Sequence, residues 1–375
     1  MGEERKHVYC SSFCELDDKI LGSSMNFNGL IVHYKDEGKS RFLGRFPNEE
    51  NDAWRLHNYV LSDGDYLYFI PDRSKYIHIY DVKQKRFDSV DVRAGGRINA
   101  TTAIMMNKHI IFASIDQRLL IVLNVENREL RHITLPENST IVSEIVVKKG
   151  HIYLADKKTD CIYECDLSNQ DVRIINLKAE GKGFGTIATD GEKIYLSGEN
   201  IITIYDNAGF EQRIIEYPDN YGMKILRGGN VDFISGFKDI EERCEKPFAF
   251  SRLLDNKLFL FPFRTNMIIE IDLLNKFNTV EFYVSEEDET MESLSSKLRL
   301  THCHYLPAES QSNTEVLFVS TCTKRLYKFG TDLKLYNYEM IIDNSDDLYM
   351  DGTGYMIREE GVDGTLKDYI NSILC

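Results

Sequence analysis

A repeated strand pattern constrains the fold of this 375-residue chain. Each copy contains a turn, a short apolar strand, a polar loop, and another apolar strand that ends on an acidic or amide residue. Leu67, Ile110, Ile152 and Ile194 occupy equivalent positions and lie 42 or 43 residues apart. One such unit cannot bury its own apolar faces and must stack on its neighbours. The repeat therefore predicts an all-β fold of stacked sheets.

Seven copies of the pattern are present, and each is expected to form four strands. The predicted second strands are 19–21, 66–69, 109–112, 151–154, 193–196, 257–260 and 315–318. The regular third strands are predicted at 76–81, 119–124, 161–166, 201–206 and 267–272, with looser copies at 30–34 and 325–329. These segments are rich in β-branched and aromatic residues. We predict a seven-bladed β-propeller of four-stranded antiparallel blades, with six or eight blades as alternatives.

The third-strand ending Ile-x-Ile-Tyr-Asp, at 77–81 and 202–206, resembles the strand ending of Trp-Asp repeat propellers. Over about residues 8–341 the chain is broadly similar to bacterial propellers of the Trp-Asp repeat and kelch-like type. It lacks the Gly-His pair of Trp-Asp repeats, and it also lacks the kelch glycine pattern. The resemblance therefore implies the fold and no particular activity.

The predicted propeller domain covers residues 1–341 and contains two insertions, at about 218–246 and 285–297. The first is either a lid or partner-docking element or a tolerated surface insertion. The tail, 342–375, does not fit a blade. Its segment 365–374 has apolar residues at helical spacing, which predicts a short amphipathic helix that packs on the propeller or docks a partner.

Composition excludes several classes of partner. The formal net charge of −15 predicts repulsion of nucleic acid and anionic membrane. No apolar run approaches the roughly 20 residues of a membrane span. The charged N-terminus lacks the apolar core of a secretory signal, and the eight cysteines fit reduced thiols. We expect a cytoplasmic protein.

One end of the predicted propeller gathers cations. Loops between second and third strands lie beside the loops that join successive blades, and both sets are rich in arginine. Arginine binds carboxylate and phosphate with two parallel hydrogen bonds. The predicted ligand-binding residues are Trp54, Arg73, Arg97, Arg118, Phe184, Arg264 and His302. The alternative is solvated loop charge without a ligand.

His302 and His304 are the candidates for metal binding or for a general base. On a strand their side chains would share one face, about 6.6 Å apart. A metal needs at least a third donor, and no linear motif supplies one, so a structural role is the alternative. The sequence contains no Gly-x-Ser-x-Gly motif, and its glycine-rich segment 181–185 lacks the strand–loop–helix context of a phosphate loop. We predict no cofactor.

Three functional hypotheses follow. The first is a non-catalytic binding propeller whose cationic end holds a small anionic or glycan-like ligand or a peptide. The second is a propeller enzyme, such as a lactonase, lyase or glycan-processing enzyme, with its site at the channel mouth. The third is a scaffold that binds protein partners through the 218–246 insertion and the terminal helix.

Overall fold

The computed structural model is an all-β structure. It describes residues 6–7, 10–25, 27–100, 102–114, 116–177, 183–198, 201–206, 208–215, 248–262, 267–283, 305–308, 315–320, 326–330, 335–338 and 341–342. No helix long and apolar enough to cross a membrane occurs in that part of the chain. The predicted insertions and the predicted helix at 365–374 lie outside the described residues.

Thirty strands form seven sheets in the described residues. The first sheet contains β1 (Lys6–His7), β2 (Cys10–Leu16), β3 (Lys19–Ser24), β4 (Leu30–Tyr34) and β5 (Lys39–Gly44). The second contains β6 (His57–Ser62), β7 (Tyr66–Pro71), β8 (Tyr76–Asp81) and β9 (Arg86–Asp91). The third contains β10 (Ala103–Met106), β11 (His109–Ser114), β12 (Leu119–Asn124) and β13 (Leu130–Thr134).

The fourth sheet contains β14 (Ile141–Lys148), β15 (His151–Asp156), β16 (Cys161–Asp166) and β17 (Asp171–Asn176). The fifth contains β18 (Thr186–Thr189), β19 (Ile194–Ser197), β20 (Ile201–Asp206) and β21 (Gly209–Ile214). The sixth contains β22 (Phe248–Leu254), β23 (Lys257–Pro262), β24 (Met267–Asp272) and β25 (Thr279–Tyr283). The last sheet contains β26 (Tyr305–Ala308), β27 (Glu315–Ser320), β28 (Leu326–Gly330) and β29 (Leu335–Tyr338), and β30 (Ile341–Ile342) joins the first sheet.

In the six four-stranded sheets, strands that follow one another in the sequence are neighbours, and they pair in antiparallel fashion, as β15 does with β14 and β16. In the first sheet, β2 to β5 follow the same pattern. The five regular third strands, β8, β12, β16, β20 and β24, have the predicted bounds. The prediction of an all-β chain of four-stranded antiparallel sheets is confirmed. The number of blades in the whole propeller stays a prediction.

The acidic or amide residue that ends the third strand caps the turn that follows. Its side-chain oxygen accepts a backbone N–H two or three residues further on, as in the pairs of Asp81 with Gln84 (2.7 Å) and Asp166 with Ser168 (2.8 Å). Asn124 and Asp206 form the same bond to Glu126 and Ala208. This side-chain turn replaces a backbone turn and fixes the start of the fourth strand.

An aspartate also organises the turn before two of the second strands. Asp63 accepts the N–H of Tyr66 (2.7 Å) through Oδ1 and the hydroxyl of Tyr68 (2.9 Å) through Oδ2. Asp190 repeats this with Lys193 and Tyr195 at 2.6 and 2.8 Å. We call this arrangement the Asp–Tyr latch. It joins a tight turn to the strand that the turn begins.

The chain divides into two compact units. Unit 1 comprises Met1–Gln117, Val122–Leu130 and Leu306–Cys375, and unit 2 comprises Arg118–Ile121 and Arg131–Tyr305. In unit 1, residues of the first two sheets share one apolar core that includes Phe46 and Phe69. In unit 2, Ile187 of β18 packs with the fourth sheet, and Ile202 of β20 packs with the sixth. Apolar burial between successive sheets is the packing that the repeat predicts.

Strands from distant parts of the chain extend the first sheet. Ile342 pairs in parallel with Ser40 of β5 and in antiparallel fashion with Lys6 of β1. An ion-pair network reinforces this region, because Glu15 Oε1 contacts Lys35 Nζ at 2.6 Å and Lys328 Nζ at 3.2 Å. The first sheet is therefore joined to the last one by side-chain contacts, and β30, which follows the last sheet in the sequence, pairs within the first.

Candidate functional site

A tryptophan and an arginine from two loops form a stack in unit 1. Trp54 lies in the loop between β5 and β6, and Arg73 lies in the loop between β7 and β8. The guanidinium carbon of Arg73 is 3.7 Å from the centroid of the Trp54 ring system, a cation–π distance. Both residues are partly exposed. The stack presents a flat, mixed apolar and cationic surface.

A buried carboxylate fixes the two other arginines beside this stack. The Asp72 side chain has no solvent exposure, and its Oδ2 is 3.0 Å from Arg55 Nε. Its Oδ1 accepts from Arg97 Nε at 2.7 Å and lies 2.6 Å from Arg97 Nη2. A carboxylate can be buried at tolerable cost only when it is paired and hydrogen-bonded. Asp72 therefore sets the positions of Arg55 and Arg97.

The main chain of Asp72 holds the same loops. Its N–H donates to Leu56 O at 2.8 Å, and its carbonyl accepts the N–H groups of Ile98 and Asn99, both at 3.1 Å. Arg55 and Asn99 have positive φ angles of 49° and 53°. Such backbone conformations persist where the surroundings overdetermine them. Three loops are thus fixed around one residue.

The rim of the cluster extends to the loop after β11. Asn99 Nδ2 donates to Asp116 Oδ1 at 3.1 Å, and Gln117 Nε2 donates to Arg97 O at 3.0 Å. We call Trp54, Arg55, Asp72, Arg73 and Arg97 the arginine surface. Three arginines and one aspartate belong to this surface, and two further carboxylates lie beside it, those of Asp116 and of Glu49, which accepts from Ser74 Oγ at 2.6 Å.

Trp54, Arg73 and Arg97 are the predicted site residues that the structure places together. Arg118 belongs to unit 2, where its side chain is exposed and its φ angle is 53°. Phe184, also in unit 2, is only 2% exposed and packs in a core with Tyr153 and Ile187. This packing gives Phe184 a structural role, and ligand contact by its ring stays a prediction.

Arg264, His302 and His304 lie outside the described residues, so the predicted metal or general-base role of the histidines stays a prediction. In the described ranges, no group of three or more His, Cys, Asp or Glu side chains could hold a metal ion. Sequence reasoning missed Arg55 and Asp72. The one available signal was that Asp72 directly follows β7 and precedes a predicted binding residue.

A chain of buried hydrogen bonds lies beneath the same region of unit 1. Ser23 Oγ is 2.8 Å from His57 Nδ1, and His57 Nε2 is 2.7 Å from His78 Nδ1. His78 Nε2 is 2.8 Å from the carbonyl of Pro47. Burial lowers the pKa of His57 well below its ordinary value, with His78 adding to the effect, and burial lowers the pKa of His78 to about 4.

The donors and acceptors in this series of hydrogen bonds follow from its last acceptor, the carbonyl of Pro47. A carbonyl can only accept, so His78 Nε2 carries a proton and donates to Pro47 O. Neutral His78 then accepts at Nδ1 from His57 Nε2–H, and His57 Nδ1 accepts from the Ser23 hydroxyl. All the ring nitrogens are satisfied only when both imidazoles are neutral. The chain is a structural link between β3, β6 and β8.

Comparison with solved structures identifies the fold. The chain is similar to virginiamycin B lyase from Staphylococcus aureus, a catalytically inactive variant with quinupristin, with a TM-score of 0.60 and 12% identity over 87% of this chain and 97% of that one. It is also similar to the WD40 domain of Neurospora crassa Pan2, with a TM-score of 0.51 and 12% identity over 88% and 89% of the two chains. The RRP9 WD40 repeats give a TM-score of 0.53 and 10% identity over 86% and 90%.

No protein-family model and no curated protein sequence matches this chain. The structural matches therefore show the fold alone, because their sequence identities are low. The protein is a β-propeller. Both an enzyme and WD40 repeat proteins share that fold with it.

Proposed function

We propose that the protein is a non-catalytic binding propeller that holds an acidic peptide segment of a partner protein on the arginine surface. The observation that carries the proposal is the stack of Arg73 on Trp54 beside the Asp72 cluster. Tryptophan and arginine, with tyrosine, are enriched among the few residues that contribute most of the energy of protein binding. The choice of a peptide rests on this stack, because the structural neighbours include both WD40 repeat proteins and a lyase solved with quinupristin.

The surface would bind by combining stacking with charge. Trp54 offers apolar area, and Arg73 offers a planar cation that suits a carboxylate. Asp72 holds Arg55 and Arg97 before a ligand arrives. Preorganised side chains lose little conformational entropy on binding, which favours affinity. The predicted cytoplasmic location and the predicted lack of nucleic-acid and membrane partners stay predictions.

Selection from a random peptide library tests the proposal. We expect selected peptides to be enriched in Asp and Glu. We expect Arg73→Ala to weaken them about tenfold or more, because a hydrogen bond to a charged group contributes about 1.5–3 kcal/mol. Trp54→Ala should also weaken binding. The matched control is Lys83→Ala, which removes an exposed cation of unit 1 that pairs with Asp65. Binding constants would be measured by titration calorimetry.

Two results would overturn the proposal. One is selection of peptides without acidic residues. The other is acidic peptides whose affinity responds to Lys83→Ala as strongly as to Arg73→Ala, since that would show a nonspecific charge effect. If a small dicarboxylate binds tightly and no peptide is selected, the ligand of this surface is a free anion and not a peptide.

A further inference from the structure

A second buried carboxylate lies where three first strands of unit 2 meet. Glu144 of β14 is almost fully buried, with 3% of its side chain exposed. Its Oε2 accepts the N–H of Ile187 on β18 at 3.3 Å and the N–H of Ser251 on β22 at 3.0 Å. Its Oε1 accepts from Arg252 Nη1 at 2.7 Å. Glu144 therefore connects β14 to β18 and β22.

An irregularity in β14 accompanies this contact. The pairing of β14 with β15 shifts register between Ile141 and Ile145, and Glu144 lies within the shifted segment. Such bulges redirect a side chain relative to a regular strand. The carboxylate is thus supported by a specific backbone feature.

The bonds to Arg252 leave one edge of its guanidinium available. Nη1 donates to Glu144 Oε1 and to Ser251 O, both at 2.7 Å, which accounts for both of its protons. Its Nε and Nη2 form the opposite edge, and no acceptor for them is found in the described part of unit 2. The Arg252 side chain is 31% exposed, and its guanidinium carbon lies 5.2 Å from the Phe250 ring centroid.

We propose that Arg252 is an oxyanion-binding site, in which the Nε and Nη2 edge donates two parallel hydrogen bonds to one carboxylate or phosphate group. Arg252 would contact the ligand, and Glu144 would be a positioning residue that fixes the guanidinium through Nη1. Bidentate pairs of this kind require the planar fork of arginine. The site lies in unit 2 and goes beyond the proposed function, which uses residues of unit 1.

The charge balance of the pair favours an anion. Burial raises the pKa of Glu144 to about 7, although Arg252 and the backbone N–H groups of Ser251 and Ile187 oppose the rise. At neutral pH the carboxyl is therefore only partly ionised. Arg252 is then incompletely neutralised and keeps positive charge for a ligand.

Nuclear magnetic resonance of the Arg252 Nε–H group tests the site in the full-length protein. Sodium acetate, inorganic phosphate and neutral acetamide would be titrated separately, and Arg252→Lys would assign the resonance. We expect saturable shifts with acetate, phosphate or both, in the millimolar range that a single charged contact gives, and none with acetamide. The more tightly bound oxyanion identifies the ligand class.

Two variants complete the test. Glu144→Gln removes the remaining carboxylate charge, which alone would favour an anion, but it sets an amide NH2 against either Arg252 Nη1 or the N–H groups of Ile187 and Ser251. The guanidinium then loses the support that aligns both parallel hydrogen bonds, and we expect this loss to dominate and oxyanion binding to weaken. Arg213→Lys is the matched control, because Arg213 is an exposed arginine of unit 2 that pairs with Glu211. An Arg252 resonance that stays unshifted in the native protein, or shifts only as much as that of Arg213, would overturn the proposal.

Discussion

Asp72 shows how a fully buried side chain can determine the arrangement of the exposed residues around it. Its carboxylate binds Arg55 and Arg97, and its main chain binds the segments before β6 and before β10. Removing one partner of a buried ion pair leaves an uncompensated buried charge. The stability of unit 1 and the shape of the arginine surface therefore depend on the same side chain.

Replacing Asp72 by Ala should destabilise the protein strongly. We expect a loss of about 3–5 kcal/mol in the free energy of unfolding, because Arg55 and Arg97 lose their common partner. Urea unfolding followed by circular dichroism measures the loss. The matched control is Asp116→Ala, an exposed carboxylate of the same rim, and we expect a much smaller effect. Equal losses would contradict the assignment of Asp72 as the centre of the cluster.

The Ser23, His57 and His78 chain predicts loss of stability in mild acid. The unfolded chain takes up protons on these imidazoles near pH 6.5, whereas the folded state resists protonation, His78 down to about pH 4. The stability that comes from keeping these imidazoles neutral is present above about pH 6.5 and is lost as the pH falls. From His78 alone, we expect the free energy of unfolding to fall by about 2 kcal/mol between pH 7 and pH 5. Urea unfolding at pH 7 and pH 5 measures it.

Two observations check the origin of this pH dependence. Nitrogen chemical shifts should show both His57 and His78 with the proton on Nε2 at neutral pH. His78→Gln should reduce the loss between pH 7 and pH 5, while the control His109→Gln, which replaces a half-buried imidazole at the start of β11, should preserve it. The interpretation fails if the Nδ1 tautomer dominates or if both variants behave alike.

Part of the candidate site was predictable at the residue scale. Trp54, Arg73 and Arg97 were grouped because the loops that carry them follow strands of known order and so lie at one end of the sheets. Arg55 and Asp72 were not predicted, because nothing local indicates that a carboxylate is buried between two loops. The packing of Phe184 depends on tertiary contacts, which the alternation of residues in a loop does not encode.

At the scale of elements, side-chain turns explain why the repeat is recognisable. The residue that ends a third strand must accept a backbone N–H, so Asp or Asn recurs there. Strand bounds were predictable because these turn residues flank alternating apolar segments. The pairing of β30 with β5 was not predictable, because a two-residue strand carries no periodic signal.

The Asp–Tyr latch should contribute measurably to stability. We expect Asp63→Ala to lower the free energy of unfolding by about 1–2 kcal/mol, since it removes the partner of the Tyr68 hydroxyl and of a turn N–H. Tyr68→Phe should lose less, and the double variant should lose less than the two single losses combined. Asp65→Ala in the same turn is the control, because the Asp65 carboxylate is exposed and pairs with an exposed lysine. Additive losses would exclude a direct contribution from the hydrogen bond.

At the scale of the molecule, residues remote in sequence join the first sheet to the last one. Lys328 of β28 contacts both Glu15 of β2 and Glu315 of β27. Burial opposes the charge of Lys328, but Glu315 and Glu15 together raise the pKa of its ammonium group. The repeat predicts the seven sheets, but it contains no signal for these long-range contacts.

Replacing Ile342 by Pro should test the contribution of β30. Proline lacks the backbone N–H and disturbs strand pairing, so we expect a loss on the order of 1–3 kcal/mol. Ile342→Val is the control, because it preserves the backbone donor and the β-branched side chain. Thermal unfolding followed by circular dichroism provides the comparison. Proline and valine variants of equal stability would show that this pairing adds nothing.

Trp54 is the single tryptophan of the chain, and it lies against Arg73 in the arginine surface. Indole emission excited near 295 nm therefore arises from one known position, without labelling or engineered fluorophores. A ligand that displaces Arg73 from the ring, or excludes solvent from it, would change the intensity or wavelength of that emission. The protein thus carries an intrinsic optical probe at the surface to which we assign binding.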